Sequence, residues 1–531
     1  MRNSKIIICK NIKLDKDYKN VLDYTENEML ELLQNNSHLV RSANNFSFIK
    51  PGKNEIEVSF TYNDCLKCNY MAFQNPYYSN KWFFAFIDSV EYRSESSSRI
   101  NFTIDEFATW FDYWNPNSCF VIREHTNDDT PGNNTQPEGL ETGEYVIRSH
   151  DKNLELAQNL RVVLSTPVDL NDTDLRKTYG GYYNGIYSSL IYYHYNNRNS
   201  IGQAIVTLDE AGKGDSIASL FIVPAILCHN PGTAIVENSK IPYSSQPVEI
   251  QDVIYPLTTI GSYTPRNKKL LTYPYVAVNV SNGQGGNAVY QQELFTLDSN
   301  GRMRFQIEAC ITPGCSARLY PIYYKGEAIP YDESITLGKY PTLNWTGDPY
   351  TNWLTQNSVN NAIDVGGGFL KMIGGTILMA TGVGTLPGAV LMGSGAMDIG
   401  SSVKTMYEHS LIPATAKGNL NSGDVMTANY ENTFHYYKMS IKEEYGRVID
   451  DYFDKYGYKT NRIKVPNQTG RTYWNYVQIG ATEDIGYSTN TNRSVPASSM
   501  LVINNIYRNG VTIWHSHENL GNYSLTNSIV N

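Results

Sequence analysis

His515 and His517, followed at once by Glu518, form the arrangement best suited to bond-breaking chemistry. Side chains two apart on a strand share a face, as the imidazoles of a metal hydrolase must. No acidic helix partner accompanies them, so they read as a surface or interface pair, and His409 reads as an ordinary polar residue. Cys65-Leu-Lys-Cys68 has the spacing of half a zinc site, with Cys310 and Cys315 as the imaginable other half. The second pair lacks that spacing and lies far along the chain, which favours packed thiols. Asn127-Asp-Asp-Thr-Pro-Gly132 is acidic but lacks the spacing and closing Glu of an EF-hand loop, and reads as a turn. Gly382-Val-Gly384 with Gly388 is not a dinucleotide fingerprint, and neither a phosphate loop nor a nucleophile elbow occurs. These residues point to no enzyme, no cofactor and no metal.

The segment that carries chemistry is apolar. From Met372 to Met397, 26 residues pass without a charge, between Lys371 and Asp398. A membrane-spanning helix needs about 20 apolar residues. Seven glycines and Pro387 argue against one uninterrupted helix, because glycine disfavours helix in water and proline removes a backbone donor. Two arms meeting at a bend fit better. Phe369, Leu370, Met372, Ile373, Ile377, Leu378 and Met379 make one arm, and Val383, Leu386, Ala389, Val390, Leu391 and Met392 the other, with Pro387 marking the bend. Single copies in lipid would leave backbone groups at the bend without partners, whereas several copies packed through Gly and Ala could satisfy them. Left in water, such a patch invites aggregation, so it must be stored, most simply inside a ring of copies. A buried core loop or a Gly-rich linker is the competing reading.

The elements around this segment read as β-rich. At 531 residues the chain is long enough for three or four folded units, and 41% hydrophobic against 18% charged residues is a globular composition. The 41 tyrosines against 17 phenylalanines suit strands and subunit contacts, surfaces half dry and half wet. Glu55 to Tyr62 alternates as a half-buried strand. Lys81 to Ile87 is bulky on both faces, and Ile100, Phe102 and Ile104 alternate before Asp105 to Trp114 turns helical. Strand signals continue at Ile186 to Tyr195, Arg302 to Ile311 and Arg318 to Tyr324, between Gly, Pro, Asn and Asp turns. Ser440-Ile-Lys-Glu443 is a capping-box pattern, predicting a helix with Ile441, Tyr445, Val448, Ile449, Tyr452, Phe453 and Tyr456 on one face and Gly457 at its end. A second helix is expected from Pro496 to Tyr507, ended by Gly510, before a return to strand. The whole is expected to be mainly β with a few helices.

A net charge of −9 argues against tight nucleic-acid binding, which rests on cation–phosphate contacts. Seven scattered cysteines fit reduced thiols better than a disulfide framework, and the apolar run Ile6 to Ile8 is too short for a secretory signal, so synthesis in a cytoplasm is expected.

Several segments together resemble the tail knob, or distal tail tube, proteins of small short-tailed bacteriophages of the Salasmaviridae type. They are Asn75-Pro-Tyr-Tyr-Ser-Asn-Lys-Trp-Phe-Phe-Ala-Phe86, Arg123 to Thr130 with Pro137-Glu-Gly-Leu140 and Gly143-Glu-Tyr145, Tyr340 to Trp345, and Asn352 to Gln356. Asp450-Asp-Tyr-Phe453, Gly457-Tyr458, Lys464-Val-Pro-Asn467, Trp474-Asn-Tyr476 and Gly510 to Trp514 complete them. The resemblance implies β-rich tube modules assembling into a ring, a homo-oligomer expected to be a hexamer, plus a long hydrophobic loop. It also implies a virion location at the tail tip, other tail proteins as partners, and genomic DNA passing through the lumen without specific binding. The loop, corresponding to residues 361–417, would plug that channel and then enter the host cytoplasmic membrane. The corresponding division is a first tube module at 1–125, a middle β-rich region at 126–275, and the start of a second module at 276–347. The hydrophobic loop follows at 348–418, and the rest of the second module at 419–531, with a helix at 440–456. A tube or adaptor with a plug but no membrane activity is the alternative. A tail-tip cell-wall hydrolase using His515, His517 and Glu518 is a more distant one.

Overall fold

The computed structural model describes residues 4–46, 54–76, 79–157, 159–196, 198–230, 233–311, 317–337, 342–343, 432–489 and 494–530. The chain forms two compact units. The first takes Met1–Gly143, Tyr263–Leu271 and Glu443–Asn531, and the second Glu144–Ser262 and Thr272–Lys442. Two units instead of three or four result because several sheets share each core.

In the first unit an antiparallel six-stranded sheet runs, in spatial order, Leu39–Phe46, Ser4–Cys9, Tyr70–Asn75, Lys81–Ser94, Ser97–Ile104 and Glu55–Val58. Successive residues of a strand point to opposite faces. Hence Phe83 and Ala85 join one apolar cluster with Ile6, Ile8 and Phe73, while Phe84 and Phe86 join another with Ile7, Tyr70 and Ala72. This is why Lys81 to Ile87 is bulky on both sides: both faces of the sheet are covered. The helix Glu26–Gln34 covers one, burying Met29 and Leu33, and starts in a capping box between Thr25 and Glu28. On the other face lies a five-stranded sheet, ordered Asn20–Leu22, Val511–Trp514, Trp474–Ile479, Cys119–Glu124 and Tyr458–Lys464, with the helix Ala497–Asn509. The strand expected from Glu55 to Tyr62 ends at Val58, and Tyr62 opens the short helix Tyr62–Leu66, capped by Thr61.

The helix expected from Ser440 forms over Glu443–Tyr456. Ser440 is buried in the strand His435–Ile441, paired with Val146 and Val276, and its hydroxyl accepts from Arg148 Nε at 2.7 Å. Ladder pairing thus takes the residue that a helix cap would have used. Ile449 and Phe453 are buried as expected, but Val448 is exposed and Asp450 takes its place in the interior. Gly457 ends the helix at φ +65°, with Glu124 O only 2.2 Å from where a Cβ would stand.

Asp450 ties the stretch Tyr263–Leu271 into the first unit. Its carboxylate accepts from Arg266 N at 2.8 Å, Asn267 N at 3.0 Å, Asn267 Nδ2 at 2.6 Å and the Tyr263 hydroxyl.

The second unit contains three main antiparallel sheets. One is ordered Tyr145–Lys152, His435–Ile441, Val276–Ser281 and Asn287–Tyr290, and a second Val248–Ile254, Met303–Ala309, Arg318–Ile322 and Ile335–Thr336. The third runs Ser239–Lys240, Ile191–Tyr195, Leu160–Thr166, Ser219–Pro224 and Thr342–Leu343. Val278 and Tyr436, Ile307 and Leu319, and Val163 and Phe221 bring all three into one core. The opposite face of the third sheet packs Val162, Leu164 and Ile222 beneath the helix Arg198–Glu210 through Ile201 and Leu208. The architecture is therefore mainly β with a few helices. Among the described residues no helix is long and apolar enough to cross a membrane.

Candidate functional site

The apolar residues singled out in the sequence, Phe369 to Met392 with the bend at Pro387, lie outside the described residues, as does His409. What the structure describes is the pair of stems from which that segment leaves and to which it returns. On the way out, Leu337 N donates to Ala317 O at 2.7 Å, and Thr342 and Leu343 pair with Phe221 and Leu220 at the edge of the five-stranded sheet. On the way back, Asn432, Thr433 and Phe434 are all buried and lead directly into the strand His435–Ile441. Both stems belong to the second unit.

The turn between Val276–Ser281 and Asn287–Tyr290 touches both stems. Asn282 Nδ2 donates to Thr336 O at 2.7 Å, on the outgoing side. Gln284 Nε2 donates to Asn432 Oδ1 at 2.9 Å, on the returning side. Asn282 Oδ1 holds the turn itself together, accepting from Gln284 N at 2.8 Å and Gly286 N at 2.9 Å. Gly286 leaves room for this side chain, since a Cβ there would stand 2.6 Å from Asn282 Nδ2 and push it from Thr336 O.

Asn153 is a second anchor. Its N donates to Phe434 O at 3.3 Å, and Thr433 Oγ1 donates to its carbonyl at 2.7 Å. Its side chain donates to Asp252 Oδ1 at 2.6 Å, and the Tyr436 hydroxyl donates to the other oxygen of that carboxylate. Burial pushes the Asp252 carboxyl up against the opposing pull of these two donors, and burial beside Asp252 pushes the Tyr436 phenol well above its usual range. One residue before Tyr436, His435 Nδ1 lies 3.0 Å from His150 Nε2, and the rings stack at 5.2 Å. These contacts anchor the described chain on either side of the segment.

The other sequence candidates are committed elsewhere. His515 Nδ1 meets Asp23 Oδ2 at 2.5 Å, and its Nε2 lies 3.2 Å from Asn475 Oδ1. His517 accepts from Lys13 N at 3.3 Å and stacks edge-on against His38 at 5.0 Å. His515 is half-buried and His517 is buried, not on the surface, and burial pushes the pKa of His517 down to about 4, helped by His38 and Lys13. Cys9, Cys65, Cys68, Cys119 and Cys228 are free thiols, burial pushes Cys68 up to about 12, and Cys315 lies outside the described residues. Among the described residues no three His, Cys, Asp or Glu side chains gather as metal ligands. The acidic loop is a turn: Asp128 accepts from Thr130 N at 2.9 Å, and Asp129 from Lys268 N at 2.9 Å.

Sequence reasoning did not single out Asn153, Asn282 or Gln284. The glycines beside Asn282 announce a turn, but nothing local says which distant strands that turn will touch.

Two family models match the chain. The C-terminal domain of the Bacillus phage phi29 tail knob protein gp9 matches residues 241–528, and the caudoviral major tail protein N-terminus matches residues 2–115. The tail knob protein gp9 of phage phi29 is 25% identical, covering 100% of this chain and 99% of its own length. That of Bacillus phage B103 is also 25% identical with the same coverage. In three dimensions the chain is similar to the tail knob protein gp12 of bacteriophage C1, at 14% identity and a TM-score of 0.64, over 99% of this chain and 100% of that one.

Proposed function

Because the chain belongs to the family of the phi29 tail knob protein gp9, and is thus a structural protein of a phage tail, we propose that it forms the distal tail tube through which the genome leaves. In this reading copies assemble with one another, as a hexamer, and with other tail proteins. The segment 348–418 is stored in the lumen as a plug, then released to penetrate the host cytoplasmic membrane. The tube modules at 1–125 and at 276–347 with 419–531 form its wall.

The observation that carries the reading is the 26-residue charge-free run from Met372 to Met397, in a chain otherwise rich in tyrosine. Anchored stems support it: Asn282 holds Thr336 before the segment, Gln284 and Asn153 hold Asn432, Thr433 and Phe434 after it, and all of these lie in one compact unit. The net charge of −9 supports passage of DNA without capture, since counterion release needs many cations on the wall. His515 and His517, each held by other partners, are given no catalytic part.

Leakage of a dye from liposomes tests the membrane role. Intact protein is expected to release the dye, and protein lacking residues 361–417 is expected to release none. Equal leakage from both would refute the assignment. Assembly without any lipid binding by intact protein, at acid or neutral pH, would leave a plug alone.

A further inference from the structure

From Thr178 to Asn197 the chain carries no charged residue and seven tyrosines. Within it Tyr182–Tyr183 and Ile186–Tyr187 form a hairpin whose turn residues, Asn184 at φ +47° and Gly185 at φ +85°, both adopt the left-handed geometry of a tight two-residue loop. The hairpin is fixed from below. Asn184 Oδ1 accepts from Ile311 N at 3.0 Å, Gly185 N donates to Ser244 O at 3.0 Å, and Ser244 N donates to Tyr182 O at 2.8 Å. Its outer face is aromatic: Tyr182 is 54% exposed and Tyr187 60% exposed, their rings meeting edge to face at 5.5 Å. Beside them Tyr179 is 75% exposed, and the Tyr243 hydroxyl donates to its carbonyl at 3.3 Å.

We propose that this hairpin is a binding platform for a neutral polysaccharide. The solvent-exposed faces of these rings can stack on the C–H faces of pyranose sugars. The phenol hydroxyls of the exposed Tyr179, Tyr182 and Tyr187 supply partners for sugar hydroxyls. The fixed backbone spares the entropy of ordering a loop on binding, and tyrosine loses little of its own. Charge selects the occupant. No charged side chain lies in this stretch to meet a phosphate or an acidic sugar, and Lys240, which approaches Tyr243, is paired with Asp169 at 3.6 Å. A second copy of this chain is the competing occupant.

Native gels cast with laminarin, dextran or hydroxyethyl cellulose test the proposal on the full chain. The protein is expected to be retarded in at least one of them. The double variant Tyr182→Ala/Tyr187→Ala should need about tenfold more polysaccharide for the same retardation, from the loss of two stacking rings. Tyr179→Ala, whose ring is the most exposed, should weaken binding several-fold and guards against a misfolded double variant. No retardation in any gel, or retardation unchanged in both variants, would overturn the proposal. A change of assembly size in either variant would overturn it too, by showing that the rings join copies. Dye release from liposomes is expected to be the same in all three proteins, so failure here is separate from failure of the membrane role.

Discussion

Asp105 stands at the junction of a strand and the helix Glu106–Trp110, where it caps the helix by accepting from Ala108 N at 3.1 Å and takes the Tyr70 hydroxyl at 2.7 Å. Burial outweighs those donors and pushes its pKa up to about 6 from the usual 3.8. The folded state therefore holds this proton more tightly than the unfolded chain does. Its stabilisation is complete below about pH 3.8 and is lost as pH rises through about 6, a swing of roughly 3 kcal/mol. Asp105→Asn keeps a cap and removes the titration. The variant should gain in melting temperature relative to the parent as pH is raised from 4 to 7, and parallel pH profiles of the two would contradict the assignment. Asp450 is a buried acid that accepts from four donors. Asp450→Ala should cost about 3–5 kcal/mol, because those donors are left unpaired. Urea unfolding measures it, and a loss under about 1 kcal/mol would mean that the stretch Tyr263–Leu271 is held by something else. The sequence shows Asp450 only as one of several acids on a helix. Its role depends on Tyr263, Arg266 and Asn267, far away along the chain, and could not be read locally.

Elements were legible where one physical rule acts alone. Period-two alternation located the strand ending at Ile104, and the two-sided bulk of Lys81 to Ile87 foretold a strand covered on both faces. The end of the helix at Gly457 was equally legible, since only glycine accepts both its φ and the approach of Glu124 O. The start of that helix was not, because Ser440 suits a cap and a strand alike and the ladder with Val146 and Val276 decided it. Two glycines separate these causes. Gly521, at φ +83° with nothing within 4 Å, should tolerate alanine at a cost of about 1–2 kcal/mol. Gly457→Ala must add displacement of backbone to the same strain and should cost about 3 kcal/mol or more. Equal costs in thermal unfolding would show that the approach of Glu124 is relieved freely.

For the whole molecule, the family was legible in segments spread along the chain and the β-rich class in alternating strands between turn residues, while the sharp change of composition between Trp353 and Tyr407 singled out the apolar run, which lies outside the described residues. The stems were not legible, since Asn153, Asn282 and Gln284 act through contacts made only in the folded unit. The proposed function turns on the apolar run: water is a poor solvent for it, and in that proposal a bilayer is the medium it enters. Cross-linking from the lipid phase tests this most directly. Intact protein is mixed with liposomes carrying a photoactivatable group in the acyl chains, illuminated, and mapped by mass spectrometry. The label should concentrate between Phe369 and Met397, with Pro387 near the middle. Label confined to other parts of the chain, with that stretch clear, would contradict the account.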